Sequence, residues 1–231
     1  MKTAVVIPTY NERENLPLLV AGIRKLPEPM RIIVVDDNSP DGTGAVAEDL
    51  AAGDGNIEVI HRAGKEGLGT AHLAGFAAAL PQADLIVTMD ADLSHNPAHI
   101  PALLELARDG SDVVIGSRYV GGGSVDFKIW RRALSSGGNI IATGILGLRT
   151  RDNTSGFRCY RRAALEQIIN QPFTADGYSF LMEILYRAKT AGLNLSETPI
   201  HYIDRQFGET KVSGNEVIKA LGTVCRLRLR R

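Results

Sequence analysis

Short apolar runs rich in β-branched residues recur through the first half of the chain, separated by segments whose apolar positions fall at helical spacing. Thr3 to Ile7, Arg31 to Val35, Ile57 to His61, Leu85 to Met89 and Asp112 to Ile115 read as strands. Between the first two, Leu16, Leu19, Val20 and Ile23 recur at i, i+3, i+4 and i+7, so a helix over Asn15 to Leu26 has one apolar face. Thr43 to Ala52 and Thr70 to Leu80 predict two more helices, the first with Thr43 as N-cap, the second rich in alanine and stopped by Pro81. Strand and helix in alternation predict an α/β fold, a Rossmann-like and mostly parallel sheet flanked by its crossover helices.

The second half is less regular. Gly121-Gly122-Gly123 opens a stretch expected to be mobile, and helical patterns follow near Arg131 to Leu146, Arg161 to Asn170 and Tyr178 to Ala191. Glu197 to Tyr202 predicts a further strand. The chain ends in a predicted amphipathic helix: Val217, Ile218, Leu221, Val224 and Cys225 share one face, and Arg226, Arg228, Arg230 and Arg231 gather at its tip. With no linker or repeat in 231 residues, one domain over 1–231 is expected.

Composition narrows the field. Twenty-six basic and 26 acidic residues cancel, which argues against a surface built for nucleic acid, so any binding charge must be local. Cys159 and Cys225 are far apart and lack metal-ligand spacing, which predicts neither a disulfide framework nor a zinc site but thiols in a reducing compartment. The first apolar run is too short for a signal peptide and ends at Pro8, and nowhere do about 18 apolar residues run together. A cytoplasmic protein is expected.

Candidate chemistry collects at strand ends. Asp90-Ala91-Asp92 directly follows the Leu85 to Met89 run, Asp36-Asp37 directly follows Ile32 to Val35, and the first strand runs out in Pro8-Thr9-Tyr10-Asn11-Glu12. In an open α/β sheet the carboxyl ends of the strands line the ligand crevice. Like charges there repel unless something positive neutralises them, and a divalent cation holding a substrate diphosphate would do so. Tyr10 offers a ring and a hydroxyl, and Glu12 can accept two donors from a base or ribose edge. An ordinary acidic loop explains any one of these segments, and Asp41 reads as a turn former. Three acceptor-bearing strand ends in one fold point instead to a nucleoside site. No Gly-rich turn follows the first strand, so there is no dinucleotide fingerprint. Gly64-Lys65-Glu66-Gly67-Leu68-Gly69-Thr70 fails the Walker pattern because its lysine follows the first glycine, and it reads as a flexible connection.

These segments belong to a longer ordered series: Pro8 to Glu12, Val35 to Thr43, Asp90-Ala91-Asp92-Leu93-Ser94-His95, Gly116-Ser117-Arg118-Tyr119, Ser155-Gly156-Phe157-Arg158, and Asp204-Arg205 with Gly208-Glu209-Thr210-Lys211. Together they resemble the GT-A glycosyltransferases of family 2, and within them the dolichol-phosphate (polyprenol-phosphate) mannose synthases, from Val5 to about Leu221. The resemblance implies transfer of mannose from GDP-mannose to a dolichyl or polyprenyl phosphate, with residues 1–118 forming the nucleotide-sugar half and 119–231 the acceptor half. It places Pro8, Tyr10, Glu12, Val35 and Asp37 around the guanosine and Asp90 and Ala91 near ribose and diphosphate. It places Asp92 on Mg²⁺ or Mn²⁺. Ser94 stands where some members carry glutamine, and its shorter hydroxyl would reach the metal directly or through water. His95 reads as structural rather than as a ligand.

The same resemblance sets Arg118, Arg205 and Lys211 against the phosphates of donor and acceptor, and with Asp92 makes them the catalytic set. Arg132 and Ser136, beside Trp130, Arg131 and Ser135, would extend the acceptor-phosphate and membrane-facing patch. The acceptor oxygen is already anionic near neutral pH and needs no strong base, so one in-line displacement should invert the anomeric centre and give a β-linked product. A lipid acceptor implies peripheral attachment at the cytoplasmic face of a membrane. Ile140 to Leu148 and the arginine-tipped terminus suit the headgroup region or, equally, the core, and a membrane-protein partner for anchoring stays open. Two other readings stand beside this one: a family 2 transferase using another nucleotide sugar, such as glucose, and a non-catalytic nucleotide-sugar binding subunit. The acceptor-side cations speak against the second.

Overall fold

The computed structural model describes residues 1–125, 143–175 and 177–203. Its elements are β1 (Thr3–Thr9), α1 (Asn15–Arg24), β2 (Arg31–Asp36), α2 (Thr43–Gly53), β3 (Ile57–His61), α3 (Leu68–Ala79), β4 (Leu85–Thr88), α4 (Ile100–Arg108), β5 (Val113–Ser117), β6 (Ser124–Val125), β7 (Arg158–Arg161), α5 (Arg162–Ile168), α6 (Tyr178–Thr190), β8 (Leu195–Pro199) and β9 (His201–Tyr202). Seven strands form one sheet in the order β3-β2-β1-β4-β7-β5-β8, and β6 pairs with β9 in a small second sheet. Among the described strands of the large sheet, only β7 runs antiparallel to its neighbours. The α/β, mostly parallel architecture expected from the periodicity is the one observed.

Strands β1, β2, β4 and β5 are largely apolar because both faces of the sheet are covered there. Val6, Val35, Ile86, Ile115 and Tyr160 lie in the cluster that includes residues of α3 and α6, while Val5, Val34, Val87, Val114 and Cys159 share the other cluster with α1 and α4. Helix α3 lies close on β1, since a Cβ on Gly75 would overlap Val6 Cγ1. That close approach accounts for its run of small residues. No helix among the described residues is long and apolar enough to cross a membrane.

Three local expectations are corrected. Gly42, at φ 89°, caps α2 in place of Thr43, whose hydroxyl is taken by the preceding loops as described below. The single strand expected over Glu197 to Tyr202 is two, β8 and β9, in different sheets. Residues Arg158 to Arg161 form β7, a strand not anticipated, and α5 starts only at Arg162. The Gly121-Gly122-Gly123 stretch folds as a turn closed by Gly123 N–H to Val120 O (2.9 Å). Residues 143–146 of the helix expected near Arg131 to Leu146 are helical. Arg131, Arg132, Ser135, Ser136, Arg205, Lys211 and the C-terminal helix lie outside the described residues.

Candidate active site

Strands β3, β2 and β1 step in one direction across the sheet and β4 begins the other, so the chain reverses order between β1 and β4. At such a switch point the loops leaving the strands part and open a crevice. Pro8 shows how the sequence permits it. The β1–β4 ladder ends at Val6 paired with Thr88, and Met89 N–H to Val6 O (3.2 Å) is the last bond on that side. Two residues on, the missing N–H of Pro8 faces the gap, where no ladder bond is needed.

Among the described residues, three that are not glycine have positive φ: Asn11 (57°), Asn38 (54°) and Leu93 (63°). Each lies in one of the loops leaving β1, β2 and β4. A left-handed leucine is disfavoured, and strain of this kind persists where the surroundings hold it. Here hydrogen bonds do. Asp36 accepts the Ser39 hydroxyl (2.5 Å), the Ser39 N–H (3.1 Å) and the Thr9 hydroxyl (3.2 Å), and Ser39 Oγ accepts from Asn11 N–H (3.0 Å). Asp41 accepts from Arg13 N–H (3.1 Å) and from the Thr43 amide and hydroxyl, while Thr43 Oγ1 accepts from Glu12 N–H (2.9 Å). The first two loops are thus tied together by side chains of the second, which makes Asp36 and Asp41 structural.

This frame brings the expected donor-side residues to one edge. Pro8 and Val35 are register partners, and Val35 is wholly buried. The Glu12 carboxylate accepts from Asn15 Nδ2 (2.7 Å), and Lys65 Nζ sits 4.5 Å from the centroid of the Tyr10 ring. Asp37 accepts from Arg62 Nη1 (2.5 Å), and Arg62 also reaches Glu66 (3.0 Å), Thr70 Oγ1 (2.6 Å) and Gly67 O (3.4 Å). Burial raises the Asp37 carboxyl above its ordinary value despite Arg62, with Asp36 and Glu66 pushing the same way. The Gly64 to Thr70 segment therefore meets Tyr10 through Lys65 and braces the arginine that holds Asp37, besides leading from β3 into α3.

In the β4 loop, Asp92 is buried, and its Oδ1 accepts both the amide (3.1 Å) and the hydroxyl (2.5 Å) of Ser94. Ala91 is buried beside it. The Asp90 carboxylate is 41 % exposed, and its oxygen would lie 3.1 Å from a Cβ on Gly156, so the Ser155-Gly156-Phe157 segment packs closely against it. His95 is structural: its Nδ1 accepts from Asp90 N–H (3.0 Å), and its ring stacks on Phe157 at 5.1 Å and meets Tyr202 edge-on at 5.7 Å. The Tyr202 hydroxyl is pushed up to about 12 by burial, Asp92 and Asp90, against the opposing pull of Ser94 and Arg118.

Arg118 follows β5. Its Nε and Nη2 each meet one Asp152 oxygen at 2.7 Å, its backbone N–H adds a third bond to Asp152 Oδ2 (3.0 Å), and Nη2 reaches Thr154 Oγ1 (2.8 Å). The Tyr119 and Tyr202 rings lie 5.3 and 5.4 Å from the guanidinium carbon. Burial alone would raise Asp152, but Arg118 overrides it and holds the carboxyl below its ordinary value. Arg62, Asp152 and Tyr202 were not singled out from the sequence. The signal that could have found them was available, since Arg62 directly follows a strand and Asp152-Asn153-Thr154 directly precedes the Ser155 block.

The β4 loop offers hard oxygen donors. Among the described residues no three His, Cys, Asp or Glu side chains converge on a metal position. One or two carboxylates fit Mg²⁺ or Mn²⁺, which complete their shells with substrate phosphates and water, and do not fit a structural zinc.

Residues 4–169 match the family model described as Glycosyl transferase family 2. The chain is 44 % identical over 223 residues to the polyprenol monophosphomannose synthase of Mycolicibacterium smegmatis, covering 95 % of this chain and 84 % of that protein. It is 41 % identical over 228 residues to the undecaprenyl-phosphate mannosyltransferase of Micrococcus luteus, covering 98 % and 93 %. Among solved structures, glucosyl-3-phosphoglycerate synthase from Mycobacterium tuberculosis with Mn²⁺, UDP and glucosyl-3-phosphoglycerate aligns with a TM-score of 0.71 at 21 % identity, covering 98 % of this chain and 79 % of that one. Its complex with Mg²⁺ and UDP aligns at 0.69 and 20 %, covering 98 % and 79 %. At that identity the likeness is one of fold.

Proposed function

The chain belongs to glycosyl transferase family 2, and from that premise we propose that it transfers mannose from GDP-mannose to a polyprenyl phosphate, inverting the anomeric centre. The observation that carries the reading is the position of Tyr202. Its ring lies 5.4 Å from the Arg118 guanidinium carbon and meets His95 edge-on at 5.7 Å, and His95 Nδ1 is 3.7 Å from Asp90 Oδ2, so the residue after β5 and the acidic loop after β4 approach the same side chain, which supports a donor carboxylate and an acceptor cation sharing one site. The relatives act on polyprenyl phosphates by name, and that chemistry suits an arginine facing carboxylates across a crevice.

In this reading Tyr10 and Glu12 receive the guanosine with Asp37, while Pro8 and Val35 form the wall behind them. Asp90 and the Ala91 backbone lie along ribose and diphosphate. Asp92 would hold Mg²⁺ or Mn²⁺, with Ser94 fixing its Oδ1. When bound, the cation supplies positive charge to the departing diphosphate. Arg118 orients the acceptor phosphate, whose anionic oxygen needs no general base, for in-line attack. Arg205 and Lys211 are assigned to the phosphates, and Arg132 and Ser136 to the acceptor. A lipid-linked acceptor sets the reaction at a bilayer surface, with the protein peripheral on its cytoplasmic face.

The test is one assay of purified protein with GDP-mannose, a short-chain polyprenyl phosphate and Mg²⁺ or Mn²⁺, beside Asp92→Ala. Mannosyl transfer should fall by about 100-fold or more in the variant, and NMR of the product should show a β anomer. Transfer of glucose from UDP-glucose in preference, an α anomer, or full activity of Asp92→Ala would each overturn its part of the reading.

A further inference from the structure

Arg118 is held in an unusual way for a group expected to bind an anion. A guanidinium has five N–H donors. Three are taken: Nε by Asp152 Oδ2, and the two on Nη2 by Asp152 Oδ1 and Thr154 Oγ1. The two on Nη1 have no partner among the described residues. One edge of the fork is clamped and its other end is left to present donors, with the Tyr119 and Tyr202 rings 5.3 and 5.4 Å from the guanidinium carbon.

The clamp is itself braced. The Glu197 carboxylate, on β8, accepts from Arg151 N–H (2.9 Å) and Asp152 N–H (3.0 Å), which fixes the turn that carries Asp152. Asp152 is fully buried and bonds the backbone N–H of Arg118 as well as its side chain. A carboxylate can accept all three of these donors at once. An amide in its place offers one oxygen and turns an N–H₂ group toward a donor.

We propose that Asp152 is a positioning residue, which with Glu197 behind it aims the Nη1 end of Arg118 at the phosphate of the acceptor. The inference rests on the reading that Arg118 meets that phosphate. Its physical content is pre-organisation: a long, rotamer-rich side chain is ordered on folding, so little further ordering is needed when the anion arrives. A role confined to stability would need the ion pair but not this one-sided grip.

The experiment measures kcat, acceptor KM and GDP affinity for the wild type, Asp152→Asn, Arg118→Ala and the double variant, using a short-chain polyprenyl phosphate. Asp152→Asn should raise acceptor KM about 10- to 100-fold, the scale of one lost charge-assisted hydrogen bond, and leave GDP affinity within about twofold. In the Arg118→Ala background it should add less than about twofold, because its effect passes through that side chain. Glu197→Gln, which loosens the turn and leaves the ion pair chemically intact, should move acceptor KM the same way by less. It keeps the proposal testable if Asp152→Asn folds poorly. An acceptor KM that Asp152→Asn leaves unmoved, lowers, or raises equally with and without Arg118 overturns the proposal. An acceptor KM unmoved by Arg118→Ala overturns the reading of Arg118 instead.

Discussion

Two buried arginine–aspartate pairs flank the crevice, and they are built to opposite ends. Both arginine side chains are 9 % exposed, and their aspartates, Asp37 and Asp152, are 7 % and 0 % exposed. Yet Asp37 is raised and Asp152 lowered relative to an ordinary carboxyl. Burial pushes both upward. Arg118 gives Asp152 two side-chain bonds and a backbone N–H, enough to reverse that push, whereas Arg62 gives Asp37 one bond to Oδ1 and shares its other donors among Glu66, Thr70 and Gly67. Asp36 and Glu66 then add negative potential at Asp37. In the proposed reading the acid serves the cation on the acceptor side, and on the donor side the cation holds an acid that keeps its appetite for donors. A guanine edge, which presents neighbouring N–H groups, is what such an acid suits.

The largest effect that could break this comparison is on stability. Asp152→Ala leaves Arg118 buried without its counter-charge and should lower the unfolding free energy by about 3–5 kcal/mol. Asp37→Ala removes a carboxyl that is itself penalised by burial, and Arg62 retains three other acceptors, so about 1–2 kcal/mol is expected. Urea unfolding of the two variants checks this. Equal losses would mean that Asp37 is as fully engaged as Asp152 and that the two pairs do one job.

A smaller effect sharpens the donor side. Lysine at position 62 keeps the charge but cannot span the acceptors that the guanidinium joins, so Asp37 would be neutralised yet poorly held. Arg62→Lys should weaken GDP binding about tenfold, or ~1.4 kcal/mol, in calorimetric titration, with acceptor KM unchanged. The reverse pattern would move Arg62 to the acceptor side of the crevice.

What the sequence discloses follows from the same geometry. Strands β1, β2, β4 and β5 could be read because both their faces are buried, which leaves nearly continuous apolar runs, and the crevice could be read because charged residues stand directly after those runs. Strand β7 could not. Its Arg158 looks like a surface residue, yet it is fully buried and its guanidinium donates to the carbonyls of Leu181 (2.8 Å) and Asn153 (2.9 Å). The stretch Glu197-Thr198-Pro199-Ile200-His201-Tyr202 has no Gly, Asn or Asp to mark a turn at buried Ile200, where the chain leaves one sheet for another. Partners were the least legible. Arg62 and Asp37 are 25 residues apart and Arg118 and Asp152 are 34 apart. Periodicity reports which face a residue occupies, but only the topology brings two loops together.

The smallest effect, and the most direct on the comparison, is the pH dependence of stability. Asp152 is lowered in the folded chain, so its stabilisation is complete above the ordinary aspartate value of 3.8 and is lost as pH falls below that, through the folded value. Asp37 is raised, so its ionised form penalises the fold above the raised value, and the penalty is relieved as pH falls from there towards 3.8. The two aspartates should therefore titrate in adjacent windows with opposite sign. Unfolding midpoints of the wild type, Asp37→Asn and Asp152→Asn across acid pH separate them. The gap between wild type and Asp152→Asn should hold steady above 3.8 and close below it. For Asp37→Asn the difference from wild type should shift in the asparagine's disfavour as pH drops towards 3.8, because only the wild type gains from protonation there. If the Asp37→Asn difference moved only below 3.8 and in the direction of Asp152→Asn, Arg62 would be holding Asp37 as Arg118 holds Asp152, and the division of labour across the crevice would be lost.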